Sequence, residues 1–262
     1  MKGILLAGGS GSRLFPLTAS VSKQLLPIFD KPLVYYPLST LMLSGIQEIL
    51  VITRPDHLVM FQNLLSDGSQ FGISIKYKIQ NEPKGIAQAI TLAEEFIGNE
   101  PFGLILGDNI FYGPGLGRHL LNFNNPKGAT IFGYRVSNPS DYGVVEISET
   151  GAPTSIQEKP VNPKSNIAIT GLYFFSSEAV TIASTLKPSN RGELEITDVL
   201  KEFLLKERLD LTTLPTGTAW LDTGTFQGLN DASTFVRIME ERTGSRIGDP
   251  TDVAIAQGWI RT

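Results

Sequence analysis

In the first half of the chain, short apolar runs alternate with longer amphipathic stretches. The runs predict strands and the stretches predict helices: strands at Ile4–Ala7, Glu48–Thr53, Ile73–Ile79 and Phe102–Leu106, and helices at Leu33–Ser44, His57–Leu65 and Ile86–Ile97. Strands that alternate with helices pair in parallel, with helices on both faces of the sheet. The pattern therefore predicts an α/β fold with a doubly wound, mainly parallel (Rossmann-like) mixed sheet, whose ligands collect at the carboxyl ends of the strands.

The second half of the chain is richer in strands. We expect strands at Val144–Ser148, Ser155–Glu158, Ala168–Phe175 and Leu209–Leu214, and helices at Glu195–Lys206 and Thr225–Arg242. No linker rich in proline, glycine or serine interrupts the chain, and 262 residues fit one large core. We predict a single domain over residues 1–262, made of one half at 1–128, a second at 129–224 and a helical segment at 225–262.

Composition excludes several classes of function. The chain has no cysteine and only two histidines, so thiolate catalysis, disulfides and a zinc site are not expected, and any metal should be held by oxygen. A net charge of -4 gives no general attraction to nucleic acid or to a membrane surface. No apolar run is long enough for a membrane span, which leads us to expect a cytoplasmic protein.

A glycine-rich loop follows the first predicted strand. The dinucleotide fingerprint would start at Gly9 and would need glycine at position 14, where Leu14 stands, and no glycine is followed by the Lys-Ser/Thr pair of a Walker A loop. The glycines could simply form a tight turn. However, Arg13 and Lys23 add a guanidinium and an ammonium to the same polar segment, and this combination favours a triphosphate ligand.

Two aspartates stand where apolar strands end. Asp108 follows Phe102–Leu106, and Asp222 follows a short apolar stretch, so both could lie at the ligand edge of the sheet. Each could instead cap a following helix. The residues alone leave both readings open.

Several motifs in order resemble those of the sugar-phosphate nucleotidylyltransferases, and in particular the glucose-1-phosphate thymidylyltransferase branch. They cover nearly the whole chain and are, in order, Leu6–Leu14, Ser22–Pro27, Asp30–Met42, Gly107–Asn109, Tyr142–Glu146, Glu158–Pro160, Thr170–Tyr173, Arg191–Asp198 and Trp220–Gly224.

The resemblance implies roles for individual residues, and it assigns nucleotide binding to residues 1–128 and sugar binding to residues 129–224. The catalytic set is Arg13, Lys23, Asp108, Lys159 and Asp222. The nucleotide-binding set is Leu6, Gly8, Gly9, Ser10, Gly11, Ser12, Arg13, Gln24, Gln80, Pro83, Gly85 and Asp108. The sugar-phosphate-binding set is Tyr142, Gly143, Glu158, Lys159, Ile169 and Trp220.

The same resemblance implies a Mg²⁺ ion held by Asp108 and Asp222, a nucleoside triphosphate (dTTP) and glucose 1-phosphate as ligands, and a homotetramer. The product would be dTDP-glucose, at the start of dTDP-rhamnose or other deoxysugar synthesis. Without the resemblance, Gly85 would be a turn residue, Gln80 a strand end, and Glu158-Lys159 an exposed charged strand end.

Two alternatives stay open. Lys84 stands where the family often has an acidic residue, which keeps UTP or another sugar 1-phosphate possible as a substrate. The other alternative is a non-catalytic regulatory subunit of the same fold. Such a subunit could lose Arg13, Lys23, Asp108 or Asp222 without penalty, but all four are present. The sequence stops at Thr262, where long family members continue, and Gly115, Gly117 and Ala256 offer little polar chemistry for a second nucleotide site, so feedback inhibition is not expected.

Overall fold

A computed structural model describes residues 1–9 and 11–261. The strands are β1 Lys2–Ala7, β2 Pro27–Ile28, β3 Lys31–Pro32, β4 Glu48–Thr53, β5 Ser74–Ile79, β6 Phe102–Leu106, β7 Asn109–Tyr112, β8 Ala129–Arg135, β9 Gly143–Ile147, β10 Pro153–Glu158, β11 Ile167–Phe175, β12 Leu209–Thr213 and β13 Ala219–Asp222. The helices are α1 Tyr35–Leu43, α2 Leu58–Leu65, α3 Gln88–Leu92, α4 Glu94–Ile97, α5 Leu116–Leu121, α6 Glu178–Thr185, α7 Ile196–Leu205, α8 Phe226–Thr243 and α9 Pro250–Ala256.

The chain forms two compact units. The first unit consists of residues 2–83, 105–121 and 215–261, and the second consists of residues 84–104 and 122–214 together with Met1. These units do not coincide with the predicted halves, because residues 84–104 group with the later part of the chain. The functional assignment of the halves stays a prediction.

The first unit contains the parallel ladder that the sequence predicts. Strand β1 pairs in parallel with β4, and β4 pairs in parallel with β5. Just past β6, the amide of Gly107 donates to the carbonyl of Leu6 at 2.9 Å. Five of the six residues of β4 are buried, as expected for a parallel strand covered on both faces.

Helix α8 is fixed to the core of the first unit by apolar packing and one buried lysine. Ala232 and Val236 of α8 pack in a cluster with Tyr36 and Ile110. The Lys31 side chain is 5% exposed, and its Nζ lies 2.8 Å from Oε1 of Glu240 on α8. A buried ammonium requires such a carboxylate partner, so this contact fixes the register of α8 against the β2–β3 hairpin.

The second unit is organised around β11, all nine residues of which are buried. Strand β11 pairs antiparallel with β8 and β9, β9 pairs antiparallel with β10, and β12 runs parallel to β8. Phe102 at the start of β6 lies with its ring centroid 5.4 Å from that of Phe175. The β-rich pattern predicted after Ala129 is therefore observed.

The structure corrects some predicted elements. The helix predicted over Ile86–Ile97 is two short helices, α3 and α4, that meet at Ala93. Elements that the sequence analysis did not predict include β7, β8, α5, α6 and α9. Helix α9 had a readable signal, because Asp249 caps it by accepting from the amide of Thr251 at 2.8 Å and Pro250 takes the first position. Among the described residues, no helix is both long and apolar enough to cross a membrane.

Candidate active site

In the loop after β1, the Gln80 side chain occupies the space that a Cβ on Gly8 would take. A Cβ atom on Gly8 would lie 1.8 Å from Gln80 Oε1. Gln80 is 2% exposed, and its backbone amide donates to the carbonyl of Thr53 at 2.8 Å. Two residues predicted to bind the nucleotide are thus packed together at the carboxyl ends of β1 and β5. At Gly9 nothing lies within 4 Å of a would-be Cβ.

Arg13 lies on a short turn that continues this loop. Gly11 has a left-handed φ of 63°, and a single 3-10 turn follows over Ser12–Leu14. Leu14 is fully buried, whereas Ser12 and Arg13 are exposed. The buried Leu14 therefore anchors the turn, and Arg13 lies at the surface beside it. Ser10, also predicted to bind nucleotide, lies outside the described residues.

Lys23 forms an ion pair with Asp108. Its Nζ donates to Asp108 Oδ2, and the two side chains are 12% and 21% exposed. Gln24, the next residue, is 4% exposed and accepts from Ser22 Oγ at 2.6 Å. The predicted phosphate-binding lysine and the predicted metal ligand are therefore direct neighbours.

Asp108 and Asp222 lie at the same end of the β7–β13 ladder, Asp108 just before β7 and Asp222 as the last residue of β13. Asp222 pairs in register with Asn109, and Thr223 donates to the Asp108 carbonyl from its amide at 3.2 Å and from Oγ1 at 2.9 Å. The helix-cap reading of both aspartates is wrong. A strand, β7, follows Asp108, and Thr225 caps α8 by accepting from Gly228 N at 3.0 Å.

The two carboxyl groups have opposite pKa shifts. Burial raises the pKa of Asp108, but the charge and hydrogen bond of Lys23 outweigh it, so the net pKa lies below the ordinary range. Burial, and then the negative charge of Asp108, raise the pKa of Asp222 against the opposing charge of Lys23. The negative charge of Asp108 thus disfavours the charged form of the neighbouring Asp222.

Two crowded carboxylates are suitable ligands for a hard divalent cation. Two adjacent carboxylates offer the oxygen donors that Mg²⁺ prefers, and a bound divalent ion would relieve their repulsion. Among the described residues, no group of three or more His, Cys, Asp or Glu side chains converges. Water and ligand phosphates would therefore complete the coordination, as is common for Mg²⁺.

Trp220 belongs to the first unit, together with the carboxylates. Its Nε1 donates to Asn109 Oδ1 at 2.6 Å, and Asn109 Nδ2 donates to Asp108 Oδ1 at 3.0 Å. Trp220 is 8% exposed and Asn109 is 3% exposed. The structure therefore gives Trp220, predicted to bind sugar phosphate, a place in a buried hydrogen-bond chain that orients Asp108.

Gly85 is held against Leu194 in the second unit. Its φ is 105°, and a Cβ there would lie 2.4 Å from the Leu194 carbonyl oxygen. The Leu194 amide donates to the carbonyl of Lys84 at 2.7 Å, and the Ala87 amide donates to the carbonyl of Leu194 at 3.1 Å. Only glycine fits this approach. Pro83, just before it, is exposed.

Glu158, at the end of β10, lies against Gly143 and Thr197. A Cβ on Gly143 would be 3.3 Å from Glu158 Oε2, 3.1 Å from Thr197 Cγ2 and 3.8 Å from Ile169 Cδ1. Ile169 is 5% exposed. Three residues of the predicted sugar-phosphate set, Gly143, Glu158 and Ile169, are thus brought together.

One arginine binds the carboxylates of this region. Arg191 Nη1 lies 3.2 Å from Glu158 Oε1 and 3.5 Å from Glu195 Oε1, and Nη2 lies 3.2 Å from Glu193 Oε2. Burial, and then the charge of Glu195, raise the pKa of Glu158 above its ordinary 4.5, against the opposing charges of Lys159 and Arg191. Glu158 is therefore a carboxyl group whose charged form is disfavoured.

Tyr142 and Lys159 meet through their backbones. The Lys159 amide donates to the Tyr142 carbonyl at 3.0 Å, and Lys159 has a φ of 41°. A left-handed conformation costs a residue with a side chain about 1 kcal/mol or more. Such strain persists where surrounding contacts enforce it, which is frequent at functional sites.

Comparison with known proteins identifies the family. A family model described as nucleotidyl transferase matches residues 2–238. A glucose-1-phosphate thymidylyltransferase of Mycolicibacterium smegmatis is 55% identical over 260 residues, covering 99% of this chain and 90% of the relative. The chain belongs to the nucleotidyl transferase family.

Solved structures agree with this nucleotidyl transferase fold. A Bacillus anthracis protein in complex with a sucrose aligns with a TM-score of 0.84 and 39% identity, over 90% of this chain and 95% of that one. A UDP-glucose pyrophosphorylase complexed with UDP-glucose aligns with a TM-score of 0.81 and 25% identity, over 91% of this chain and 98% of that one. The predicted α/β fold is confirmed.

Sequence reasoning missed several residues of this nucleotidyl transferase site. Asn109, Arg191, Glu195 and Thr197 contact or adjoin predicted site residues, yet none was given a role. The stretch Arg191–Asp198 was part of the resemblance, and its density of charged residues was a usable signal. Which of those charges pair with Glu158 depends on the packing of α7 and its preceding loop near β10.

Proposed function

We propose that the protein transfers a thymidylyl group from dTTP to glucose 1-phosphate, giving dTDP-glucose and pyrophosphate. The observation that carries this proposal is the Lys23–Asp108 pair with Asp222 beside it. A cation, adjacent carboxylates and a glycine-rich loop together suit a triphosphate and its Mg²⁺ ion. The similarity to the M. smegmatis thymidylyltransferase, which covers 99% of the chain, supports the choice of base and sugar.

The reaction is a direct displacement at phosphorus. A phosphate oxygen of glucose 1-phosphate attacks the α-phosphorus of dTTP and forms a new P–O bond. The bond from the α-phosphorus to the bridging oxygen breaks, and pyrophosphate leaves with the electron pair. The attacking oxygen is already anionic, so neither an enzyme nucleophile nor a general base is needed, and catalysis consists of positioning and charge neutralisation.

In the first unit, Arg13 and Lys23 would neutralise the triphosphate and the departing pyrophosphate. Lys23 already has a carboxylate partner, so an approaching phosphate replaces one anion with another and never leaves this nearly buried ammonium unpaired. Asp108 and Asp222 would hold Mg²⁺, which when bound supplies further neutralisation at the α-phosphate. Gln80, which packs against Gly8, would read the edge of the base.

In the second unit, Glu158 would accept hydrogen bonds from sugar hydroxyls, and the Gly143 backbone would contact the sugar ring. Lys159 would bind the sugar phosphate. Ionised Glu158 is disfavoured by burial and by Glu195, so a hydroxyl donor that stabilises its charged form adds binding energy.

A second candidate uses UTP in place of dTTP. Lys84 favours this candidate, because it stands where the family often has an acidic residue. Lys84 is exposed and directly precedes Gly85, which the resemblance assigns to base recognition. The fold is also shared with the UDP-glucose pyrophosphorylase.

A panel of dTTP, UTP, dCTP, ATP and GTP with glucose 1-phosphate, scored by pyrophosphate release with and without Mg²⁺, tests the proposal. We expect dTTP to give the highest kcat/KM and release to require Mg²⁺. A preference for UTP would establish the second candidate. No release with any triphosphate and sugar 1-phosphate would indicate a non-catalytic subunit. A homotetramer and a place in dTDP-rhamnose or deoxysugar synthesis are further proposals from the family.

A further inference from the structure

Thr18 closes the exposed loop that carries Arg13. Its Oγ1 donates to the carbonyl oxygen of Gly11 at 2.8 Å, and the amide of Leu14 donates to the same oxygen at 2.9 Å. The Gly11 carbonyl therefore accepts two hydrogen bonds from its own loop, one from the backbone and one from a side chain.

The methyl group of Thr18 restrains the same glycine from a second direction. A Cβ on Gly11 would lie 2.9 Å from Thr18 Cγ2, and Gly11 has a φ of 63°. Glycine is thus the residue that satisfies both the close approach and the left-handed backbone. The Thr18 hydroxyl therefore holds the Gly11 carbonyl, and the Thr18 methyl packs beside the same glycine.

Fixing the Gly11 carbonyl also fixes the next peptide group. In a planar trans peptide the carbonyl oxygen and the following N–H point to opposite sides. Because the Gly11 carbonyl points toward Thr18, the amide of Ser12 points away from it. The turn Ser12–Leu14 then places Arg13 one residue before the fully buried Leu14, so one end of the turn is anchored by Thr18 and the other by Leu14.

We propose that Thr18 is a positioning residue, which holds the Gly11–Leu14 turn so that Arg13 meets the triphosphate in a fixed orientation. This inference rests on the proposed function, in which Arg13 neutralises phosphate charge. An exposed arginine on an unanchored loop would have to be ordered when the ligand binds, at a cost in conformational entropy. Thr18 makes part of that ordering a property of the free protein.

The test compares Thr18→Val, which keeps the shape but loses the donor, with Thr18→Ser, which keeps the donor. One hydrogen bond of this kind corresponds to a factor of about two to ten. We expect Thr18→Val to lower kcat/KM for dTTP about fivefold to tenfold, with the KM for glucose 1-phosphate within about twofold of wild type. Thr18→Ser should stay within about twofold for both substrates. Thermal unfolding of both variants should stay close to wild type, because the Gly11 carbonyl keeps its hydrogen bond from the Leu14 amide when the partly buried bond from Thr18 is lost.

A double-mutant cycle with Arg13→Ala separates positioning from a general structural role. If Thr18 acts through Arg13, Thr18→Val should change kcat/KM by less than about twofold in the Arg13→Ala background. An equal loss in both backgrounds, or no loss in Thr18→Val while Arg13→Ala is impaired, would overturn the role of Thr18 and leave the proposed function intact. A fully active Arg13→Ala variant would instead refute the role of Arg13 in the proposed function, and with it this inference.

Discussion

The carboxyl groups of Asp108, in the first unit, and Glu158, in the second, are both largely shielded from water, yet their pKa values shift in opposite directions. At Asp108 the Lys23 ammonium outweighs the effect of burial and lowers the pKa. At Glu158 burial and the neighbouring Glu195 outweigh Lys159 and Arg191 and raise it. The charged form of Asp108 is therefore favoured by a neighbouring cation, whereas the charged form of Glu158 is disfavoured by its surroundings.

Removing the carboxylate charge of Asp108 should reduce activity more than any other change considered. Asp108→Asn should lower kcat by about a hundredfold or more, because it removes charge at the phosphate site with little change in volume. Pyrophosphate release as a function of Mg²⁺ concentration measures this. Asp210→Asn, an exposed aspartate on β12, is the matched control and should behave as wild type. Unchanged Mg²⁺ dependence in Asp108→Asn would refute the metal assignment and remove one side of the comparison.

The opposite shift at Glu158 predicts a gain in stability together with a loss of function. Glu158→Gln should raise the KM for glucose 1-phosphate about thirtyfold, since hydrogen bonds to a charged acceptor are lost. The KM for dTTP should change little.

The pH dependence of unfolding checks the direction of that shift. A raised pKa in the folded state means that the stability contribution is complete below the ordinary pKa of 4.5 and is lost as pH rises through the folded pKa. Glu158→Gln should therefore be at least as stable as wild type at pH 7, and the difference should vanish near pH 4. A variant clearly less stable than wild type at pH 7 would show that the ion pair with Arg191 dominates.

A glycine pair probes how the Glu158 region is held. Gly85→Ala should cost about 2 kcal/mol and raise the KM for both substrates, because the new Cβ would displace Leu194 from its contacts with Lys84 and Ala87. Gly192 lies two residues before Leu194 and also has a positive φ, but a Cβ there would meet nothing within 4 Å. Gly192→Ala should therefore cost only about 1 kcal/mol. Equal effects in thermal unfolding and kinetics would show that backbone strain, and not the contact with Leu194, is what matters.

The smallest effect is expected at Glu178, an ion-paired carboxylate that is not among the predicted site residues. Its hydrogen bond with Lys206, and the charge of Arg208, lower its pKa against burial. The side chain is 29% exposed, so the pair should contribute less than about 1 kcal/mol. A lowered pKa means that this stability is present above pH 4.5 and is lost as pH falls below it. Glu178→Gln should lose that small acid dependence of stability without change in kcat. A large fall in kcat would mean that this surface ion pair also contributes to activity.

Two strands could be read from the sequence with the bounds that the structure shows, Glu48–Thr53 and Phe102–Leu106. Both are predictable because strands buried on both faces are largely apolar. The resemblance supplied the list of site residues. Helix α6 and strands β7 and β8 were missed, since short elements of mixed polarity carry little periodic signal.

The α/β class, the candidates for the nucleotide loop and the lack of cysteine chemistry can be derived from the sequence, because they follow from local pattern and composition. The pairing of Lys23 with Asp108, the crowding of Asp222 by Asp108 and the contact of Arg191 with Glu158 depend on the folded chain. Lys23 and Asp108 are 85 residues apart, and Arg191 and Glu158 are 33 apart. Charges so distant in sequence interact only after the chain has folded, and their pKa shifts depend on burial that no local pattern encodes.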